Sequence, residues 1–161
     1  MNNIVKKNVW FWVIGFSNLL LDQLSKYWVT KSLVKIGDTI PLLPKIFHFT
    51  YVVNNGAAFS FFEGGVTWLR WISLGVSVGL IGLSLLGDKM DILEQLGYGF
   101  ILAGALGNGI DRFFFGYVVD FLDFRLINFP IFNLADISIN LGIFLLLITN
   151  ISPKLFSNLF R

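Results

Sequence analysis

The sequence contains no cysteine, a single histidine and few charges, with 14% of its 161 residues being Asp, Glu, Lys or Arg. Without cysteine there are no disulfides, thiolate nucleophiles, Cys-ligated zinc sites or acylated thiols, and the redox compartment is unmarked. One histidine, His48, excludes any site built from two or more. Its β-branched and aromatic neighbours read as strand, not as the setting of a ligand or base. Basic residues never form a run longer than a pair, so the net charge of +2 carries no footprint of a nucleic-acid binder. What remains is apolar: 55% hydrophobic, 17% aromatic, mean hydropathy +0.74. That composition lies outside the soluble range and marks an integral membrane protein. No polar linker or repeat divides it, so one domain over residues 1–161 is expected, with no tail.

Four stretches, residues 9–29, 66–86, 92–110 and 134–151, approach the roughly 20 apolar residues that cross a hydrocarbon core. Four spans put both termini on one side. The first runs too long for a signal peptide. Gly99, Ala103 and Gly107 in the third span, and Gly75 and Gly79 in the second, predict close helix approaches. Asp88, Lys89 and Asp91 read as a tight surface turn joining spans two and three into a hairpin. Arg70 is expected to snorkel to the interface. Lys and Arg are balanced between the two sides, and Lys6 and Lys7 before the first span tip the termini toward the cytoplasm.

Two segments do not read as helices. Residues 46–53 are β-branched and aromatic, Asn54-Asn55-Gly56 supplies a turn, and residues 57–62 resume, which predicts a hairpin. Residues 117–132 form a second extended run containing Pro130, Asp123 and Arg125. Exposed backbone is not tolerated in hydrocarbon, so the two segments should pair into a small sheet at the interface. The predicted fold class is an all-α polytopic membrane protein with four transmembrane helices and a small β-sheet.

Asp120 and Asp136 lie in strongly apolar surroundings, where a carboxylate costs about 2.5–3.5 kcal/mol on insertion scales. Asn133 and Asp136 have the spacing of an N-cap and an acidic N3 residue, so helix capping is the plain explanation of that pair. The same helix start favours an ionised Asp136, and Asp120 among Val118, Val119 and Phe121 becomes the holder of a proton. Like charges keep the two from ionising together. Such an asymmetric pair suits water-mediated peptide hydrolysis without a metal or cofactor. Gly107-Asn-Gly-Ile-Asp-Arg112 reads as a helix end with a local Asp111–Arg112 ion pair, or as a place where Asn108 and Arg112 hold an extended peptide. Asp22 and Lys26 are four apart and pair on one face of the first helix. Intramembrane acids also serve small proton- or ion-coupled transporters. Here there is no inverted repeat, and the polar stretches cluster on one side, away from the midplane.

In order, Asp22-Gln-x-Ser-Lys26, Asn54-x-Gly56-Ala-Ala-Phe59, Gly107-Asn-x-x-Asp-Arg112, Val118-Val-Asp-Phe121 and Phe132-Asn-Leu-Ala-Asp136 resemble the motifs of bacterial lipoprotein signal peptidase, that is, signal peptidase II of aspartyl peptidase family A8. The likeness runs over residues 8–152. It implies an intramembrane aspartyl endopeptidase of the bacterial cytoplasmic membrane with cytoplasmic termini. Its sheet would cradle the substrate at the outer interface, with the active site toward the outer leaflet. Asp120 and Asp136 match the catalytic dyad. Asn54, Gly56, Asn108, Arg112, Asn133 and Ala135 match substrate-site positions, and Asp22, Lys26 and Asp111 are structural polar residues. The implied partners are membrane lipids and a prolipoprotein whose lipobox cysteine carries a diacylglyceryl group, cut just before that cysteine. Neither metal nor nucleic acid is implied, and a monomer is expected. Residues 61–70 fall where the family has a lid-like element.

Overall fold

A computed structural model of the chain describes residues 7–56, 66–127 and 129–151. Four helices, α1 (Val9–Ser32), α2 (Val66–Leu86), α3 (Ile92–Phe114) and α4 (Leu134–Ile151), accompany three strands, β1 (Thr39–Leu43), β2 (Phe47–Asn54) and β3 (Val118–Phe124). A short 3-10 turn, Arg125–Ile127, follows β3. Helix α3 is central and packs against α1, α2 and α4.

The helices are patterned in reverse of those in a soluble protein. The buried residues of α1 are Phe11, Gly15, Asp22, Lys26 and Val29, a single stripe at helical spacing that includes two of its charges, Asp22 and Lys26. Phe16, Leu20, Leu24 and Tyr27 face outward. On α2 only Ser77 and Ser84 are buried, while Trp71, Val78 and Leu86 are exposed. Apolar surface this extensive marks contact with something other than water. Among the described residues, α2 alone is long and apolar enough to cross a membrane by length and composition. The apolar stretch of α4 is shorter, and α1 and α3 carry buried charges, Asp22 with Lys26 and Asp111 with Arg112, that lower their hydropathy.

Small residues set the helix spacing. A Cβ on Gly99 would sit 2.8 Å from the Phe11 carbonyl of α1, and one on Gly107 would sit 2.5 Å from Asp22 Oδ2. The α3–α4 contact, which the four-residue spacing did not indicate, uses Gly104, 2.3 Å by the same measure from the Ala135 carbonyl, and Gly142, 2.5 Å from the Gly97 carbonyl. Among the described residues, a Cβ on Gly75 or Gly79 of α2 would meet nothing within 4 Å, so the expected close approach is not made with them.

At one end of the bundle Asn8 ties three elements together. Its Nδ2 donates to the Ser84 carbonyl at 3.0 Å and its Oδ1 accepts from the Met90 amide at 3.0 Å. The turn carrying Asp88, Lys89 and Asp91 lies here, and Asp91 with Glu94 forms a capping box that starts α3. The sheet lies at the other end, where α1 and α3 finish and α4 begins.

The sheet is antiparallel in the order β1-β2-β3. The hairpin differs from the sequence expectation: β2 turns back onto β1, through a connection with Lys45 at φ 67°, and residues 57–62 lie outside the described residues. Pro41 hid β1 from a sequence reading, since proline demotes a run to non-strand; as an edge-strand residue it needs no ladder donor there. The second extended run is shorter than 117–132: it pairs as β3 and then folds back, the Phe129 amide donating to the Phe124 carbonyl at 3.2 Å and Phe132 bridging to Leu122. Val29 and Leu33 from the end of α1 pack with Tyr51, Val119, Phe121 and Leu122 to seat the sheet. His48 lies in β2, buried, with Nδ1 3.3 Å from Thr39 Oγ1.

A leucine at Gly104 must displace the α4 backbone, and we expect Gly104→Leu to lower stability by about 1–3 kcal/mol. Gly75→Ala should be neutral or slightly stabilising through helix propensity. Thermal unfolding of both variants in the same detergent checks the pair; equal effects would contradict this packing.

Candidate active site

Three elements that follow or precede helix ends converge on one polar cluster. Asn133 and Asp136 open α4 as a reciprocal cap: the Asp136 amide donates to Asn133 Oδ1 at 3.0 Å, and the Asn133 amide donates to Asp136 Oδ2 at 3.1 Å. The capping role legible in the sequence is therefore real. It also leaves Nδ2 of Asn133 free to point away from the helix, where it donates to Asp120 Oδ1 at 2.6 Å. One buried asparagine thus holds both carboxylates, which come from different elements.

Each carboxylate has a second asparagine. Asn54, the last residue of β2, donates to Asp120 Oδ2 at 2.9 Å. Asn108 of α3 donates to Asp136 Oδ1 at 2.8 Å, and its Oδ1 accepts from Asn133 Nδ2 at 3.1 Å. Asp120 is 2% exposed. Burial, reinforced by the negative charge of Asp136, raises its pKa to about 7, against the opposing pull of the Asn54 and Asn133 hydrogen bonds. It therefore holds a proton through mildly acidic conditions and shares it near neutrality.

Behind the carboxylates lies a second charged layer. Lys26 Nζ sits 2.9 Å from Asp22 Oδ2, 2.9 Å from Asp111 Oδ2 and 3.1 Å from Asn108 Oδ1. Asp22 Oδ1 accepts the Ala135 amide of α4 at 2.9 Å, and Asp111 Oδ2 accepts the Val119 amide of β3 at 3.1 Å. Gln23 adds a donor to Asp111 and to Asp22. The expected Asp22–Lys26 pair is present. The expected Asp111–Arg112 ion pair is not among the described salt bridges, because successive residues on a helix point about 100° apart and Asp111 turns inward to Lys26. Arg112 instead reaches across to β2's end, donating from Nη2 to the Gly56 carbonyl at 3.2 Å and from Nη1 to the Asn108 carbonyl at 3.3 Å, while its buried Nε has no partner among the described residues. Gly56 is fixed locally by Asn54 Oδ1, which accepts its amide at 2.9 Å.

A cleft of about 1270 Å³ opens in front of this cluster. Asp120, Asp136, Asn54, Gly56, Asn108 and Arg112 line it. Asn133 and Ala135 are fully buried behind it, the first bridging the carboxylates and the second packed beneath Gly104 and Gly107. Sequence reasoning missed the other walls: Val52 and Val53 of β2, the Phe129-Pro130-Ile131-Phe132 segment, and Ile137, Asn140, Leu141 and Phe144 of α4. The legible signal was Asn140, a polar residue one turn after Asp136 in a mostly apolar helix. Of the lid-like region 61–70, residues 61–65 lie outside the described residues and 66–70 open α2; the Ala57–Phe59 positions of the second motif also lie outside them.

Comparison with known proteins agrees with this geometry. Residues 14–152 match the family described as Signal peptidase (SPase) II. The chain is 66% identical to the lipoprotein signal peptidase of Gloeothece citriformis (strain PCC 7424) over 94% of each chain. It is 62% identical to that of Microcystis aeruginosa (strain NIES-843), over 92% of this chain and 96% of the relative. A solved bacterial membrane enzyme superposes with a TM-score of 0.81 at 32% identity, covering 91% of this chain and 90% of that one. A second gives 0.76 at 33% identity, covering 86% and 90%. Family match, high identity and shared fold over nearly the whole length lead to one conclusion: the chain belongs to the signal peptidase II family of bacterial membrane peptidases.

Proposed function

We propose that this chain is an intramembrane aspartyl endopeptidase that removes the signal peptide from diacylglyceryl-modified prolipoproteins, cutting just before the lipidated cysteine. The observation that carries the reading is the pair Asp120 and Asp136, joined through one buried asparagine at the floor of a cleft. Asp136, at the positive end of α4, takes a proton from the attacking water. Asp120, holding its proton, donates it to the scissile carbonyl oxygen as the tetrahedral intermediate forms. When that intermediate collapses, the proton on Asp136 passes to the leaving amine and Asp120 recovers its own. Asn54, Gly56, Asn108 and Arg112 hold the unwound substrate strand, and the free Nε of Arg112 offers one donor to its backbone. Asn133 and Ala135 act through position, one orienting both acids and the other letting α3 approach α4. Asp22, Lys26 and Asp111 fasten the frame.

The same reading makes the chain a single membrane domain of four transmembrane helices acting as a monomer among lipids, with cytoplasmic termini and the sheet at the outer leaflet. The outward apolar faces of the helices support it. So does the placement of the sheet at the end of the bundle opposite the Asn8 junction.

Asp120→Asn and Asp136→Asn should each lower cleavage of a purified lipidated prolipoprotein at least about a hundredfold. Full activity in either would sink the dyad. The pH profile follows from Asp120: its raised pKa means that the proton is present below about 7 and lost above it, so kcat/KM should fall on an alkaline limb centred there. Asn54 stabilises the ionised form, so Asn54→Ala should move that limb to higher pH; a shift downward would contradict the assignment. Topology can be read cleanly because the chain has no cysteine of its own. Lys45→Cys should react with an impermeant maleimide in intact cells, and Lys89→Cys only after permeabilisation. The reverse pattern would invert the orientation.

A further inference from the structure

The cleft does not end at the two acids. Asp136, Ile137, Asn140, Leu141 and Phe144 all line it. Their spacing places them on one stripe of α4, about 12 Å long. Beyond Asp136 the stripe is apolar and open, with Ile137 43% and Phe144 58% exposed, except for the exposed amide of Asn140. Among the described residues, Asn140 makes one side-chain hydrogen bond, from Nδ2 to the Asp136 carbonyl at 2.9 Å. That leaves one N–H and the Oδ1 of the amide to find partners in the cleft. A short amide cannot snorkel as lysine does, and hydrocarbon supplies no partner.

We propose that Asn140 recognises the lipid on the substrate: its free N–H donates to an ester carbonyl of the S-diacylglyceryl group, while Ile137, Leu141 and Phe144 carry the acyl chains. This rests on the peptidase reading and deepens it. The lipid hangs from the residue just after the scissile bond, so its first ester carbon lies about eight covalent bonds from the carbonyl under attack. Asn140 lies one helical turn, about 6 Å, along α4 from Asp136. The spans agree. An ester carbonyl accepts and never donates, so its complement is an N–H donor, which Asn140 offers on this wall. The acyl chains need an apolar wall continuous with the bilayer, which the exposed faces of the other three residues form. Asn54, Gly56 and Arg112, which line the same cleft, carry the polar groups suited to the peptide.

The test compares two synthetic lipopeptides of equal chain length, one with a diacyl ester and one with a dialkyl ether, which lacks the carbonyls. Full-length wild type should cleave the ester with a kcat/KM about threefold to tenfold higher, the range of one hydrogen bond. Asn140→Leu should bring this ratio to about one, and Asn140→Gln should retain part of it. The ratio within one preparation is independent of the fraction folded. If Asn140→Leu slows both substrates equally, the amide serves the peptide or Asp136, and the proposal is overturned. Equal cleavage of ester and ether by wild type also overturns it. If wild type cuts neither, the peptidase reading falls, and this proposal with it.

Discussion

Lys26 is the point on which the architecture of the site depends. Its ammonium sits between Asp22 and Asp111 with almost no exposure on any of the three. Each aspartate also accepts an amide from the start of another element, Ala135 of α4 and Val119 of β3. The charge cluster therefore does more than neutralise itself. It sets where β3 starts and where α4 starts, and each start carries one of the two acids close behind. Removing one partner of a buried ion pair costs about 3–5 kcal/mol, because an uncompensated charge remains. In a site surrounded by apolar surface there is little water to relieve it.

On that frame, asparagine does the fine positioning. A carboxylate facing another needs neutral donors if the pair is to keep a shared proton, since a nearby cation would ionise both. Asn54, Asn108 and Asn133 provide this, and the nearest charges, Lys26 and Arg112, are directed elsewhere, to Asp22 with Asp111 and to backbone carbonyls. Asn133 combines a helix cap and a bridge between the acids in one side chain. Capping the helix and joining the two carboxylates are the same set of hydrogen bonds seen from two sides.

Close helix packing is what makes so polar a centre possible. Gly107 leaves room for Asp22 against α3, and Gly104 brings the α3 backbone against the Ala135 carbonyl. Larger residues would separate the helices and lengthen every bond across them. The glycines of α2 do not share this duty, which accords with a helix that, among the described residues, packs chiefly on α3 and buries two serines.

Much was legible in the chain. Runs of apolar residues located the helices, the Asn133–Asp136 spacing identified the α4 cap, and the low tolerance of lipid for carboxylates singled out Asp120 and Asp136. These depend on composition and on contacts within a helical turn, which sequence spacing states directly. The register of β2 against β3, the inward turn of Asp111 to Lys26, and the grip of Arg112 on Gly56 were not legible. They join residues tens of positions apart, and local preference carries no information about which distant donor meets which acceptor. That choice belongs to the packing of α1, α3 and α4 around one buried lysine, and only the tertiary structure makes it.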